Sequence, residues 1–141
     1  MANELHFQYT VDGDDYSLVG EASSSVKTTL KKLGVAPEII RKVSIAMYEG
    51  EVNMVIHADG GVIDVYISPA SIRFVLADRG PGIPDIDRAM QEGYSTATEN
   101  IRNMGFGAGM GLPNMKKYAD EMTVTSVVGE GTTLDMTVSI T

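Results

Sequence analysis

At 141 residues, the chain is long enough for one core, and without cysteine it cannot form disulfides, thiolate metal sites or a cysteine nucleophile. Eleven Lys and Arg residues against 19 Asp and Glu residues give a net charge of -8, which argues against general binding to DNA or RNA. No stretch approaches the ~18 continuous apolar residues of a membrane span, and the first residues lack a signal pattern. We therefore expect one soluble, cytoplasmic domain over residues 1–141, with no direct contact to nucleic acid or membrane.

The first 34 residues predict a strand and then a helix. Loose alternation of apolar and polar residues predicts the strand at 4–11, followed by a turn at 12–15. One of the serines at 23–25 is expected to cap the helix, which Gly34 then ends.

A second helix is predicted from Pro37 to about His57, because its apolar residues recur at helical spacing. Glu49, Asn53 and His57 follow each other at intervals of four residues, so each is offset by only about 40° from the last. Burying such groups without partners costs about 1–3 kcal/mol, and bound metal and phosphate would supply partners. The alternative is a solvated helix face on which Glu51 is one more surface charge.

Four further strands are predicted from runs of β-branched and apolar residues bounded by turn signals. They span 62–68, 72–77, 122–128 and 132–140. The long segment at 78–108 shows one short helix at 84–91, and a loop of this length usually has a function. Together the elements predict a two-layer α/β sandwich with a mixed, mostly antiparallel sheet covered by helices on one face.

The end of the second of these strands delivers Asp78, after which Gly80 and Gly82 turn the chain away from the sheet. A carboxylate in this position can accept a hydrogen bond from the amino group of a flat ring such as adenine. The same pattern is common where an aspartate stabilises a turn, so the segment alone leaves both interpretations open.

Four alternating glycines run directly into an amphipathic helix that is predicted to end near Asp120. They are Gly105, Gly107, Gly109 and Gly111. Glycines let backbone amides approach an anion, and the first turn of a helix adds free N–H groups and the positive end of its dipole. The loop lacks the lysine and Ser/Thr of a P-loop. It therefore predicts either a nucleotide site of another kind or a surface loop without a ligand.

The motifs become more specific when they are taken in order. The chain contains, in this order, Glu-x-x-x-Asn on a helix, a hairpin, Asp-x-Gly-x-Gly, a long lid-like segment, the glycine loop and Gly-Glu-Gly-Thr-Thr. This order resembles the GHKL ATPase superfamily, whose Bergerat ATP-binding fold is shared by gyrase, Hsp90, MutL and histidine kinases. The resemblance covers residues 37–140. The small size and the residues at 93–138 look like the anti-sigma-factor serine kinases and their stress-pathway switch-kinase relatives.

The resemblance implies ATP and Mg²⁺ as cofactors and a role for each motif. Glu49 would be the general base, Asn53 would hold Mg²⁺, and Asp78 would accept from the adenine amino group. The other residues expected around the nucleotide are Gly80, Gly82, Ser95, Thr96, Gly107, Gly109, Met110, Gly111, Leu112, Thr132 and Thr133. Two residues depart from the usual pattern: Gly50 would loosen the helix beside the base by about 1 kcal/mol, and Glu51 adds a second negative charge.

By this resemblance we expect an ATP-dependent protein serine/threonine kinase that phosphorylates a small STAS-domain regulatory partner and sequesters a sigma factor. A homodimer is expected from the family. A non-catalytic switch that binds partners according to ATP or ADP is the alternative. A detached histidine-kinase-like catalytic domain is the third interpretation, and a purely structural domain is the fourth.

Overall fold

The computed structural model of the chain describes residues 4–13, 19–56, 60–80 and 111–140. In chain order, its elements are β1 (Leu5–Asp12), α1 (Glu21–Lys32), α2 (Pro37–Ile56), β2 (Gly60–Ile67), β3 (Ser71–Asp78), α3 (Gly111–Tyr118), β4 (Glu121–Val127) and β5 (Gly131–Ser139). The helix predicted at 84–91 lies outside the described residues. None of the described helices has the length and apolar character needed to cross a bilayer.

The five described strands form one sheet in the order β1-β2-β3-β5-β4. Every neighbouring pair is antiparallel, so the mixed, mostly antiparallel sheet of the prediction is antiparallel throughout its described part. Each strand begins and ends within two residues of its predicted bounds. This agreement confirms the α/β fold and follows from the period-2 pattern, which marks a strand with one buried face.

One face of the sheet is covered by the helices. Ile72, Phe74 and Leu76 of β3 are each at most 1% exposed, and alternate residues of β2 and β5 are buried with them. Fully burying a side chain of this kind contributes about 1.5–3 kcal/mol to the free energy of folding. The core of the protein therefore lies between this face and the helices. The opposite face is polar and carries ion pairs such as Arg73 with Asp135 at 2.7 Å.

The start of α1 differs from the prediction. The N-cap is Gly20, with a φ of 99°, and it provides no side-chain cap. Ser23 lies inside the first turn, where its hydroxyl donates to the Gly20 carbonyl at 3.2 Å. The expected serine cap is therefore wrong, because another part of the chain supplies the acceptor for the free N–H groups of this helix.

Candidate functional site

The second half of α2 lies over the end of β3 and beside α3. A Cβ added at Gly50 would overlap Cδ2 of Leu76 and lie 3.6 Å from Sδ of Met115 in α3. One turn later, Met54 Cε would lie 2.8 Å from a Cβ added at Gly61, which pairs with Asp78. These close approaches bring together three of the elements on which site residues were predicted.

Asp78 is fixed by hydrogen bonds from two elements. Its Oδ1 accepts from the Gly80 N–H at 3.0 Å and from the Thr132 N–H at 2.9 Å. Both bonds end on the same oxygen, and within the described part of the chain none ends on Oδ2. The aspartate therefore stabilises the turn, as one interpretation predicted.

Gly131, which was not among the predicted site residues, allows β5 to approach Asp78. A Cβ at Gly131 would overlap the Asp78 carbonyl oxygen and lie 3.2 Å from Oδ1. Its φ of 141° is also one that L residues rarely adopt. Its place in the Gly-Glu-Gly-Thr-Thr motif, directly before Thr132, is the signal that could have identified it.

Thr132 and Thr133, which were expected near the nucleotide, lie on opposite faces of the sheet. Thr132 is 7% exposed, its N–H donates to Asp78, and its hydroxyl is 2.9 Å from that of Ser126. Thr133 pairs with Ala77 and, by strand alternation, lies on the face away from the helices. The structure thus brings Thr132 to Asp78 and does not bring Thr133 there.

Glu49 and Asn53 are both partly exposed and lie one turn apart on α2. Oε1 of Glu49 accepts a long hydrogen bond of 3.4 Å from Nδ2 of Asn114, a residue of α3 that was not predicted. No ion pair formed by the described residues involves Glu49. Its carboxylate is therefore hydrogen-bonded to Asn114 and forms no ion pair within the described part of the chain. His57 lies outside the described residues.

Glu51 is not a surface charge. Its side chain is 2% exposed, and its carboxylate accepts hydrogen bonds from the N–H groups of Gly20 at 3.0 Å, Ala22 at 3.3 Å and Ser23 at 2.7 Å. The first turn of a helix has free N–H groups and the positive end of the dipole, and both favour a carboxylate. Glu51 of α2 therefore caps α1, which explains why the local serines do not.

The other predicted site residues lie outside the described residues or at the start of α3. Those outside the described residues are Gly82, Ser95, Thr96, Gly107, Gly109 and Met110. Gly111 is the first residue of α3, and Leu112 is 7% exposed and belongs to the core. Within the described ranges, no group of three or more His, Cys, Asp or Glu side chains could hold a metal ion.

The sequence of this chain matches known proteins of one family. Residues 14–138 match the family described as the histidine kinase-like ATPase domain. The serine/threonine-protein kinase RsbT of Bacillus subtilis is 32% identical over 110 residues, which cover 75% of this chain and 77% of RsbT. The anti-sigma F factor of Geobacillus stearothermophilus is 29% identical over 140 residues, which cover 95% of this chain and 90% of that protein.

A solved structure shares the fold. The crystal structure of the RsbU and RsbW domains of a Mycobacterium tuberculosis protein superposes with a TM-score of 0.65 over 95% of this chain. The sequences are 17% identical, so this likeness bears on the fold alone. The chain spans 32% of that longer protein chain.

Proposed function

The chain belongs to the histidine kinase-like ATPase domain family, and from this membership we propose that it is an ATP-dependent protein serine/threonine kinase of the anti-sigma type. The names of its relatives support both halves of the proposal, since one is a serine/threonine-protein kinase and another an anti-sigma F factor. The observation that carries it is the environment of Glu49. A partly exposed carboxylate, free of cations among the described residues and one turn from Asn53, is suited to accept a proton.

The adenine end of the site is proposed around Asp78. Its Oδ1 is held by Gly80 and Thr132, so Oδ2 is the oxygen that would accept from the adenine amino group. The start of α3 at Gly111 would meet the phosphates with free N–H groups. The remaining proposed nucleotide contacts are Gly82, Ser95, Thr96, Gly107, Gly109, Met110 and Leu112, whereas Thr133, on the other face of the sheet, is not one of them.

Mg²⁺ fits the donors that this site offers. It binds few protein ligands and keeps waters and phosphate oxygens in its coordination shell. The partly exposed amide of Asn53 would be such a single ligand. When bound, the ion would neutralise charge on the phosphates.

The proposed reaction needs one proton acceptor. The hydroxyl oxygen of a serine or threonine on the partner forms a bond to the γ-phosphorus while the bond from that phosphorus to the ADP oxygen breaks. The hydroxyl proton passes to the Glu49 carboxylate. Catalysis of this kind is mostly positioning and charge neutralisation. The protein therefore has to hold the base, the nucleotide and the acceptor hydroxyl in fixed positions.

The proposed acceptor is a small STAS-domain regulatory protein, with a sigma factor as a second partner. The anti-sigma F factor among the relatives is the reason for this choice. We further propose a homodimer that acts in the cytoplasm. These assignments follow from the family and require their own tests.

A transfer assay tests the kinase proposal. The protein is mixed with γ-labelled ATP, Mg²⁺ and a STAS-domain protein from the same genome, and we expect acid-stable phosphate on a serine or threonine. Glu49→Ala should abolish most transfer, whereas Glu38→Ala, an exposed glutamate on the first turn of the same helix, should not. Undiminished transfer by Glu49→Ala would contradict the role of Glu49. Acid-labile phosphate would instead indicate a histidine-kinase-like domain.

A second assay separates catalysis from switching. Affinity for the partner is measured with ADP and with an uncleavable ATP analogue. A difference in affinity without any transfer from ATP would replace the kinase proposal with a nucleotide-gated binding switch.

A further inference from the structure

Three consecutive residues of α2 contact three different elements. Glu49 accepts from Asn114 of α3, Gly50 lies against Leu76 of β3, and Glu51 binds the start of α1. Successive residues of a helix point about 100° apart, so these contacts approach α2 from three sides. They fix both the height of this turn above the sheet and its rotation about the helix axis.

The contact through Glu51 is the strongest of the three. It joins a buried charge to three backbone donors at 2.7–3.3 Å, whereas the bond from Asn114 to Glu49 is 3.4 Å long. Oε2 of Glu51 accepts two of these hydrogen bonds and Oε1 accepts the third. The buried carboxylate of Glu51 is therefore directed at the start of α1 and not at the partly exposed side chains of Glu49 and Asn53.

Gly50 adds a steric limit on the side of the sheet. Leu76 is 1% exposed, and any side chain at position 50 would overlap it. The backbone of α2 can lie this close to β3 because residue 50 is a glycine. The turn cannot move towards the sheet, so rotation about the axis is the motion that Glu51 restrains.

We propose that Glu51 is a positioning residue, which holds α2 to α1 and thereby sets the direction in which Glu49 and Asn53 point. The proposal rests on the kinase function proposed above. A rotation of about 10° moves an atom ~6 Å from a helix axis by about 1 Å. A displacement of about 1 Å at a reacting group can lower a rate ~100-fold.

This role predicts a selective kinetic effect. The proposed adenine contacts lie on β3 and β5, not on α2, so rotation of α2 should spare them. For Glu51→Gln we expect kcat for transfer to the STAS-domain protein to fall about 10–100-fold, with a much smaller change in KM for ATP, to which α2 contributes only through the proposed Mg²⁺ ligand Asn53. Glu51→Ala should lower kcat further, since glutamine keeps one acceptor oxygen and rescues part of the activity.

The matched control is Ser23→Ala. It removes the bond from the Ser23 hydroxyl to the Gly20 carbonyl at the same helix start, but it keeps the backbone N–H that donates to Glu51. We expect its kcat to stay within about twofold of the parent value. An unchanged kcat in Glu51→Gln, or an equal loss in Ser23→Ala, would overturn the proposal.

A second readout does not depend on catalysis. The side-chain amide of Asn114 reports on Glu49, so its NMR signals should shift in Glu51→Gln and stay in place in Ser23→Ala. Unshifted Asn114 signals in a folded Glu51→Gln protein would overturn the proposal. A parent protein that transfers no phosphate would instead overturn the kinase function, and the Asn114 signals would then decide the positioning role.

Discussion

The two carboxylate oxygens of Asp78 have different surroundings. Oδ1 receives N–H groups from Gly80 and Thr132, which join the end of β3 to the start of β5. Oδ2 has no such donor within the described part of the chain. An aspartate can therefore stabilise its own turn and still offer an acceptor to a ligand, so the two roles suggested by the sequence are compatible.

Asp78→Asn separates these two roles. The remaining carbonyl oxygen can keep both backbone bonds, while an NH₂ group replaces the free acceptor and meets the adenine amino group as a second donor. Loss of such a bond costs about 1–3 kcal/mol, so we expect the Kd for ATP, measured by calorimetry, to rise roughly 5- to 150-fold. The stability of the free protein should change little.

Asp135→Asn is the control for this substitution. It makes the same chemical change on β5, where Asp135 pairs with Arg73 on the polar face of the sheet. We expect the affinity of Asp135→Asn for ATP to match that of the parent. Equal Kd values for Asp78→Asn and the parent would contradict the proposal that Asp78 binds the adenine amino group.

Local motifs were enough to single out Glu49, Asn53 and Asp78 as candidate site residues. They were not enough for Glu51 or Asn114, whose bonding partners are 28–31 and 65 residues away along the chain. Capping rules consider neighbours in sequence, so they favoured a serine over a carboxylate from another helix. Such contacts become visible when the packing of α1, α2 and α3 is known.

The close approach of α2 to β3 depends on Gly50. In an isolated helix, a glycine costs about 1 kcal/mol relative to alanine, so Gly50 was expected to loosen α2. In the fold, the missing side chain makes room for Leu76. The cost in helix propensity is thus accompanied by a gain in packing.

Gly50→Ala tests this balance. The added methyl group would overlap Leu76, and overpacking of a core typically costs about 1–3 kcal/mol, more than the ~1 kcal/mol gained in helix propensity. We expect a lower free energy of unfolding in urea, by up to about 2 kcal/mol. In a Leu76→Ala background, where the methyl group has room, the same change should be stabilising. Destabilisation by the same amount in both backgrounds would contradict the steric explanation.

Asp120 joins three elements at the opposite end of α2. Oδ1 accepts from Lys42 of α2 at 2.8 Å, Oδ2 accepts from the Ser139 N–H of β5 at 2.7 Å, and Asp120 itself lies between α3 and β4. The hydrogen bond from Lys42, together with that from Ser139, lowers the pKa of Asp120 below its ordinary value of 3.8.

This shift predicts a dependence of stability on pH. Since the pKa is lower in the folded state, the contribution of Asp120 is fully present above pH 3.8 and is lost as the pH falls through the folded value. In urea, the parent should therefore have a higher free energy of unfolding than Asp120→Asn near neutral pH. This difference should shrink in acid. Because the side chain is 38% exposed, the effect should be modest. A difference that grows in acid would contradict the assignment.

The sheet and helix layers could be predicted because periodicity reports which face of an element is buried. The alternation in β3 and β5 and the helical spacing in α2 each pointed to one covered face. The strand order could not be predicted in this way, because β3 pairs with β5 across 56–68 residues of the chain. Non-local pairing of this kind depends on the whole fold.

Nucleotide binding should stabilise the whole molecule. A ligand that binds the folded state alone adds about 2.7 kcal/mol at a concentration of 100 times its Kd, so ATP with Mg²⁺ should raise the Tm. GTP has a carbonyl group where adenine has its amino group and should raise the Tm less at the same concentration. Equal stabilisation by ATP and GTP would argue against recognition of the amino group.

The central claim is phosphate transfer that depends on Glu49. Its most direct test is the single-turnover rate of transfer from Mg-ATP to the STAS-domain protein, measured at saturating ATP in the parent and in Glu49→Gln. Loss of a general base typically lowers a rate about 10²–10⁴-fold, and we expect a loss in that range with the Kd for ATP unchanged. An equal rate in the two proteins, or no transfer by a parent that binds ATP, would contradict the claim.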